Sequence, residues 1–150
     1  MKIAAVIPAY NEEQTIGEIV RTIRQVPVVK DVLVVSDGSV DRTADAAAEA
    51  GARVLRLEAN IGKGGAMMAG VKNTDADIVL FLDADLIGLQ PGHVISLLEP
   101  VVEGRAEMTI GIFESGRLAT DLAQFIAPYL SGQRAVHRNL LEKLPDLDMT

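Results

Sequence analysis

The chain is predicted to fold as an α/β domain, a mainly parallel sheet flanked by helices. Short apolar runs alternate along its whole length with segments of helical period, which is the pattern of strand–helix crossovers. The composition is 49% hydrophobic but 3% aromatic, so the core must be aliphatic and alanine-rich, as suits helices packed on a Val/Ile/Leu sheet. Polar and glycine-bearing segments follow the apolar runs, where an open α/β sheet places its ligand. At 150 residues the chain fits one domain with room for a sizeable core.

The elements follow in order. Residues 3–7 are an apolar run ended by Pro8. Residues 12–25 place Ile16, Ile19, Val20 and Ile23 on one helical face, with Asn11 as N-cap and Pro27 beyond the end. Residues 32–35 form the next run. An alanine-rich helix over 41–50 is capped by Ser39 or Asp41 and closed by Gly51. Residues 53–57 read as a third strand and 63–73 as a third helix, with Met67 and Met68 as core filler. Residues 78–82 (Ile-Val-Leu-Phe-Leu) are apolar without interruption, the mark of a strand buried on both faces. A helix over 91–103 opens on Pro91, and 108–113 form a fifth strand. Helices are expected over 119–130 and 138–144, around a turn at Ser131-Gly132.

Asp83-Ala84-Asp85 stands where the fourth strand emerges. Two like charges placed together cost several kcal/mol unless a cation or hydrogen-bond donors compensate. Hard oxygen ligands favour Mg²⁺ or Mn²⁺, and the simpler alternative is a turn with a capping Asp. In the first loop, Tyr10 suits stacking on a base and Glu12 suits accepting hydrogen bonds from ribose or base; equally, Asn11 can cap and Glu12 and Glu13 can favour the helix dipole. In the second, Ser36-Asp37-Gly38-Ser39, Asp37 can accept the imide N–H of uracil or an amine of another base, or can serve as turn chemistry. In the third, Asn60-Ile61-Gly62-Lys63-Gly64-Gly65-Ala66, the glycines allow close backbone approach, and Lys63 at a helix start favours a phosphate. It matches neither a Walker A loop nor a dinucleotide fingerprint. Arg134, in Ser131-Gly132-Gln133-Arg134-Ala135, is aimed at an anion on an acceptor-side loop, or closes an ordinary helix end. His93 and His137 are expected at the surface rather than as ligands.

Taken in order, these blocks resemble the family 2 glycosyltransferases with a GT-A fold, a Rossmann-like nucleotide-diphospho-sugar transferase architecture. Pro8 to Glu13 is similar to the family's opening loop. Ser36-Asp37-Gly38-Ser39 with Asp41 and Thr43 resembles its D-D-G-S-x-D-x-T block, Asn60 to Ala66 its N-x-G-K-G-x-A block, and Asp83-Ala84-Asp85 its D-x-D. Ser131 to Ala135 resembles an S-G-x-R-A segment of several members. Glucosyl-3-phosphoglycerate synthases and dolichyl- or polyprenyl-phosphate sugar transferases are the most similar in pattern. The resemblance implies transfer of a sugar from a UDP- or GDP-linked donor, with Mg²⁺ or Mn²⁺ stabilising the departing nucleoside diphosphate. It implies that Ala9, Tyr10 and Glu12 line the nucleoside pocket and that Asp37 binds the base. It puts Lys63 near the phosphates, Asp83 on the ribose or a metal-bound water, and Asp85 on the metal.

One unit over 1–150 is expected, with the donor half in 1–90 and a partial acceptor half in 91–150. Ser36 replaces the first Asp of the second block, which removes one charge. No general base is identifiable; Glu114 and Asp121 are the candidates after the fifth strand. The chain is expected to be C-terminally incomplete, or completed by a second copy as a homo-oligomer. The expected acceptor is phosphorylated or a lipid phosphate. A net charge of −7 argues against non-specific nucleic-acid binding, and the absence of cysteine excludes disulfides and thiolate metal sites. No apolar stretch reaches the roughly 20 residues of a membrane span, so a cytoplasmic protein is expected, with a peripheral place at the membrane as the alternative. Two other functions fit less of the pattern. One is a nucleotide-sugar-binding module without turnover. The other is a nucleotidyltransferase, which would carry a glycine-rich loop directly after the first strand.

Overall fold

The computed structural model describes residues 1–114, 117–123 and 133–143. Among them, seven strands form one sheet in the order β3-β2-β1-β4-β7-β5-β6. The strands are β1 (Ile3–Ala9), β2 (Val29–Asp37), β3 (Arg53–Leu57), β4 (Ile78–Phe81), β5 (Met108–Glu114), β6 (Arg117–Ala123) and β7 (Gln133–His137). The helices are α1 (Ile16–Ile23), α2 (Thr43–Ala50), α3 (Lys63–Lys72), α4 (Pro91–Val102) and α5 (Arg138–Lys143). β1 pairs in parallel with β2 and β4, and β2 with β3. β7 lies antiparallel between β4 and β5, and β6 runs antiparallel to β5. β1 to β5 therefore all run one way, as the sequence predicts, while β6 and β7 run against them. No helix among the described residues is long and apolar enough to cross a membrane.

The sheet carries a layer on each face. Ile3, Ala5, Ile7 and Ala9 point into a core shared with Ile16, Ile19, Val20 and Ile23 of α1, Ala47 of α2 and Val94, Leu97 and Leu98 of α4. Val6, Leu33, Val35, Val79 and Phe81 point the other way, against Ala66 and Met67 of α3 and Leu140 and Leu141 of α5. That alternation is the two-residue period of a strand buried on both faces. Met67 is buried and Met68 packs partly against the same layer, as expected of filler. α3 approaches closely at Gly70, where a Cβ would stand 2.4 Å from Val6 Cγ1.

Four expectations need correction. Asn11 does not cap α1. It adopts a left-handed backbone, φ 52°, and its Oδ1 accepts the Val40 N–H at 2.9 Å, while the helix starts five residues beyond it, after Thr15. The expected helix over 119–130 is a strand where it is described: Arg117–Ala123 pairs along the whole of β5, from Glu114↔Arg117 to Met108↔Ala123. A free partner strand outweighs the helix propensity of Leu and Ala; residues 124–130 lie outside the described set. Third, the segment at Arg134 is β7, an inner strand, rather than a loop or helix end. The Ser131-Gly132 turn lies outside the described residues. Fourth, α2 begins at Thr43 with Arg42, not Ser39 or Asp41, in the N-cap position; Asp41, one residue earlier, accepts the Thr43 N–H on Oδ1 at 2.9 Å.

The sheet opens between β1 and β4. Their register stops at Val6↔Phe81, whereas β1 continues alongside β2 to Ala9↔Ser36. Val6 O accepts the Leu82 N–H, so by the two-residue period Pro8 also faces the β4 side. No ladder bond is available at that level, which lets a proline sit inside an inner strand. Here too the order of strands reverses, since β1 leads outward to β2 and β3 and the chain then returns to β4 on its other side. A crevice beyond the carboxyl ends at such a point is the expected ligand position in an open α/β sheet.

Candidate functional site

A cleft of about 470 Å³ occupies that position. It is lined by Pro8, Ala9, Tyr10 and Glu12 after β1, Asp37 at the end of β2, Asn60, Gly62 and Lys63 after β3, and Asp83, Ala84 and Asp85 after β4. Each strand end with predicted chemistry in the parallel half of the sheet thus contributes to one space. Tyr10 is 49% exposed, an aromatic face left open to a ligand.

The loops hold one another. The Asn11 N–H donates to Ser39 Oγ at 3.1 Å, and the Glu12 N–H to Thr43 Oγ1 at 2.8 Å. Asp37 is 3% exposed, and its carboxylate takes the Ile61 N–H on Oδ1 at 2.8 Å and the Gly62 N–H on Oδ2 at 3.0 Å. Gly38, at φ 73°, lets the second loop lie against the third: a Cβ there would stand 2.5 Å from Asn60 N. Thr15 Oγ1 donates to Ala84 O at 2.6 Å and ties the start of α1 to the acidic turn. Burial opposes ionisation of Asp41, but hydrogen bonds from Thr43 and Glu13 more than offset it, and its pKa lies below the ordinary value.

The two carboxylates of the acidic turn differ. Asp83 is fully engaged: Oδ1 receives Lys63 Nζ at 2.5 Å, Oδ2 receives Gln133 Nε2 at 3.1 Å, and its N–H donates to Gln133 Oε1 at 2.7 Å. Asp85, by contrast, makes no hydrogen bond or ion pair with the described residues. Its charge is felt by Glu12, whose pKa is raised by burial first and then by the negative charges of Asp85 and Asp41. Among the described residues no three His, Asp or Glu side chains converge into a group able to hold a metal alone. One or two carboxylates are nevertheless the usual protein share of a Mg²⁺ site completed by substrate phosphates and water. Asp85, unengaged and facing the cleft, fits that share.

The cleft therefore gathers Ala9, Tyr10, Glu12, Asp37, Lys63, Asp83 and Asp85. Arg134 lies outside its lining, 3% exposed within β7; burial lowers its pKa, and the Asp83 charge opposes that. Glu114 is the last residue of β5, and Asp121 lies within β6 opposite Ile110. His93 caps α4 through Nδ1, which accepts the Gln90 N–H, and His137 is half-buried in β7; neither lines the cleft. Sequence reasoning missed Gln133 and the tie at Thr15. Gln133 sits between a glycine and an arginine in a polar segment with no strand period, so only its partner across the sheet reveals it.

A family model described as "Glycosyl transferase family 2" matches residues 4–144. A glucosyl-3-phosphoglycerate synthase of Mycobacterium tuberculosis is 30% identical over 181 aligned residues, covering 95% of this chain and 56% of its own length. The synthase of Mycolicibacterium smegmatis is 37% identical over 109 residues, covering 67% and 36%. An undecaprenyl-phosphate 4-deoxy-4-formamido-L-arabinose transferase of Pseudomonas fluorescens is 38% identical over 112 residues, covering 68% of this chain and 33% of its own. Among solved structures, the M. tuberculosis synthase with Mn²⁺, UDP-glucose and phosphoglyceric acid superposes with a TM-score of 0.78 at 30% identity, covering 96% of this chain and 59% of that one. The same synthase has also been solved with Mg²⁺ and UDP. The chain spans between about a third and three fifths of the length of these relatives.

Proposed function

The chain belongs to glycosyl transferase family 2, and from that premise we propose that its cleft binds the UDP-linked sugar donor of a metal-dependent sugar transfer. The observation that carries the proposal is the meeting of four strand-end loops in one crevice at the β1/β4 opening, with an unengaged Asp85 near an engaged Asp83–Lys63 pair. In this reading Tyr10 stacks on the base, and Ala9 and Glu12 complete the nucleoside pocket. Asp37 keeps lone pairs beyond the two it gives to the third loop and accepts the imide N–H of uracil. Lys63, in the first turn of α3, meets the diphosphate with the helix N-terminus behind it. Asp83 contacts the ribose or a metal-bound water, and Asp85 ligates the metal. A bound divalent cation supplies Lewis-acid stabilisation of the departing diphosphate. Residues 1–90 form the donor half, and 91–150, with Arg134, Glu114 and Asp121, the partial acceptor half.

The relatives support UDP-glucose as donor and phosphoglyceric acid as acceptor, with a lipid phosphate as the alternative. Calorimetric titration of the chain with UDP, UDP-glucose and GDP, in Mn²⁺ and in EDTA, tests the donor assignment. UDP should bind in a Mn²⁺-dependent way and more tightly than GDP. Transfer of glucose to phosphoglyceric acid, assayed on the same preparation, tests the acceptor. Binding without transfer would make the chain a donor-binding module, and no binding of any nucleotide would overturn the proposal.

A further inference from the structure

We propose that Gln133 is the positioning residue for Asp83, a role that rests on the donor-site reading and extends it to the antiparallel half of the sheet. The β4–β7 ladder ends at Phe81↔Arg134. Two residues beyond Phe81, the backbone of Asp83 has no strand partner among the described residues, and its N–H donates instead to the side chain of Gln133. Gln133 is 3% exposed and bonds to Asp83 twice, Oε1 accepting its N–H and Nε2 donating to its Oδ2. The backbone N–H requires an acceptor and the carboxylate a donor, so a primary amide meets both while a carboxylate or an apolar side chain cannot.

The other hold on Asp83 is of a different kind. Lys63 is 39% exposed, and its ammonium on a flexible stem would be drawn towards a diphosphate entering the cleft. When that ion pair yields, the buried amide still fixes the Asp83 carboxylate in the direction of the ligand. Gln133 touches neither donor nor metal in this scheme. It acts through Asp83.

Two variants test the role, Q133M and Q133E, studied as the full chain. Met retains the length and flexibility of Gln and loses both hydrogen bonds; Glu retains the acceptor and sets a negative charge against Oδ2. UDP affinity in Mn²⁺ should fall about 10- to 100-fold in both, the range for partners that orient a metal-site ligand, with a smaller change in EDTA. The Asp83 amide, followed by NMR hydrogen exchange, should be protected in wild type and Q133E and exposed in Q133M. A role in packing alone would leave Q133M close to wild type in UDP affinity. Wild-type affinity in both variants overturns the proposal, and so does an Asp83 amide that exchanges at open-loop rates in the wild-type chain. Should the wild-type chain bind no UDP in Mn²⁺, the donor-site reading falls, and the exchange pattern still decides whether Gln133 holds Asp83.

Discussion

The two halves of the sheet divide the work differently. In the parallel half, β3-β2-β1-β4, every crossover ends its strand at the same edge, so each strand delivers a loop to the cleft. In the antiparallel half, β7-β5-β6, direction alternates, and a neighbour that runs the other way brings its beginning, not its end, to that edge. Gln133, the first residue of β7, reaches the site in that way. Parallel strands thus gather chemistry at one edge, while antiparallel ones close the core and buttress it from the side.

That contrast can be broken by experiment. Met108, 2% exposed at the start of β5, lies in the core far from the cleft edge. Met108→Ala should cost about 2–5 kcal/mol in urea unfolding, with UDP affinity unchanged in the folded fraction; a matching loss of affinity would show that the halves are not separable. Asp85→Ala should do the reverse. Mn²⁺-dependent UDP binding should weaken by more than about 100-fold, since losing an outer-shell partner alone costs about 10- to 100-fold, while the melting temperature stays near wild type. Unchanged metal dependence by calorimetry would remove Asp85 from the metal.

Asp37→Ala probes how far folding and binding are joined within the parallel half. It strips two backbone N–H groups of their acceptor, which should cost about 1–3 kcal/mol of stability by urea titration and weaken UDP as well. A loss of binding without a loss of stability would mean that the third loop holds its shape unaided. The smallest effect is expected at Glu12. A carboxyl whose folded pKa is raised binds its proton more tightly folded than unfolded, so its contribution favours folding on the acid side and is lost as pH rises through the folded pKa. Glu12→Gln should therefore raise the melting temperature slightly at pH 7 and not at pH 4, where Glu12 is largely neutral as well. A gain that persists at pH 4 would point to packing rather than to the charges of Asp85 and Asp41.

Most of the parallel half was legible along the chain because its signals are local. A run such as Ile78 to Phe81 declares a doubly buried strand, and Asp37, Lys63 and Asp85 stand directly after such runs or at a helix start. The antiparallel half was much less legible. Residues 117–123 carry Leu and Ala, which suit a helix, and become strand because β5 offers an unpaired edge. Residues 133–137 have two apolar positions among polar ones, too few to set a period.

What the sequence alone determined is the order of elements as far as β5, the buried stripes, and the family to which its blocks belong, since propensity, periodicity and turn chemistry act over a few residues. What tertiary structure decided is the state of each side chain. Asp83 is bound on both oxygens and Asp85, among the described residues, on neither, although one residue separates them; Arg134 is buried, and Gln133 meets Asp83 from fifty positions away. Such differences depend on which groups the packed sheet brings within hydrogen-bonding distance, and that distance has no counterpart in the spacing of residues along a chain.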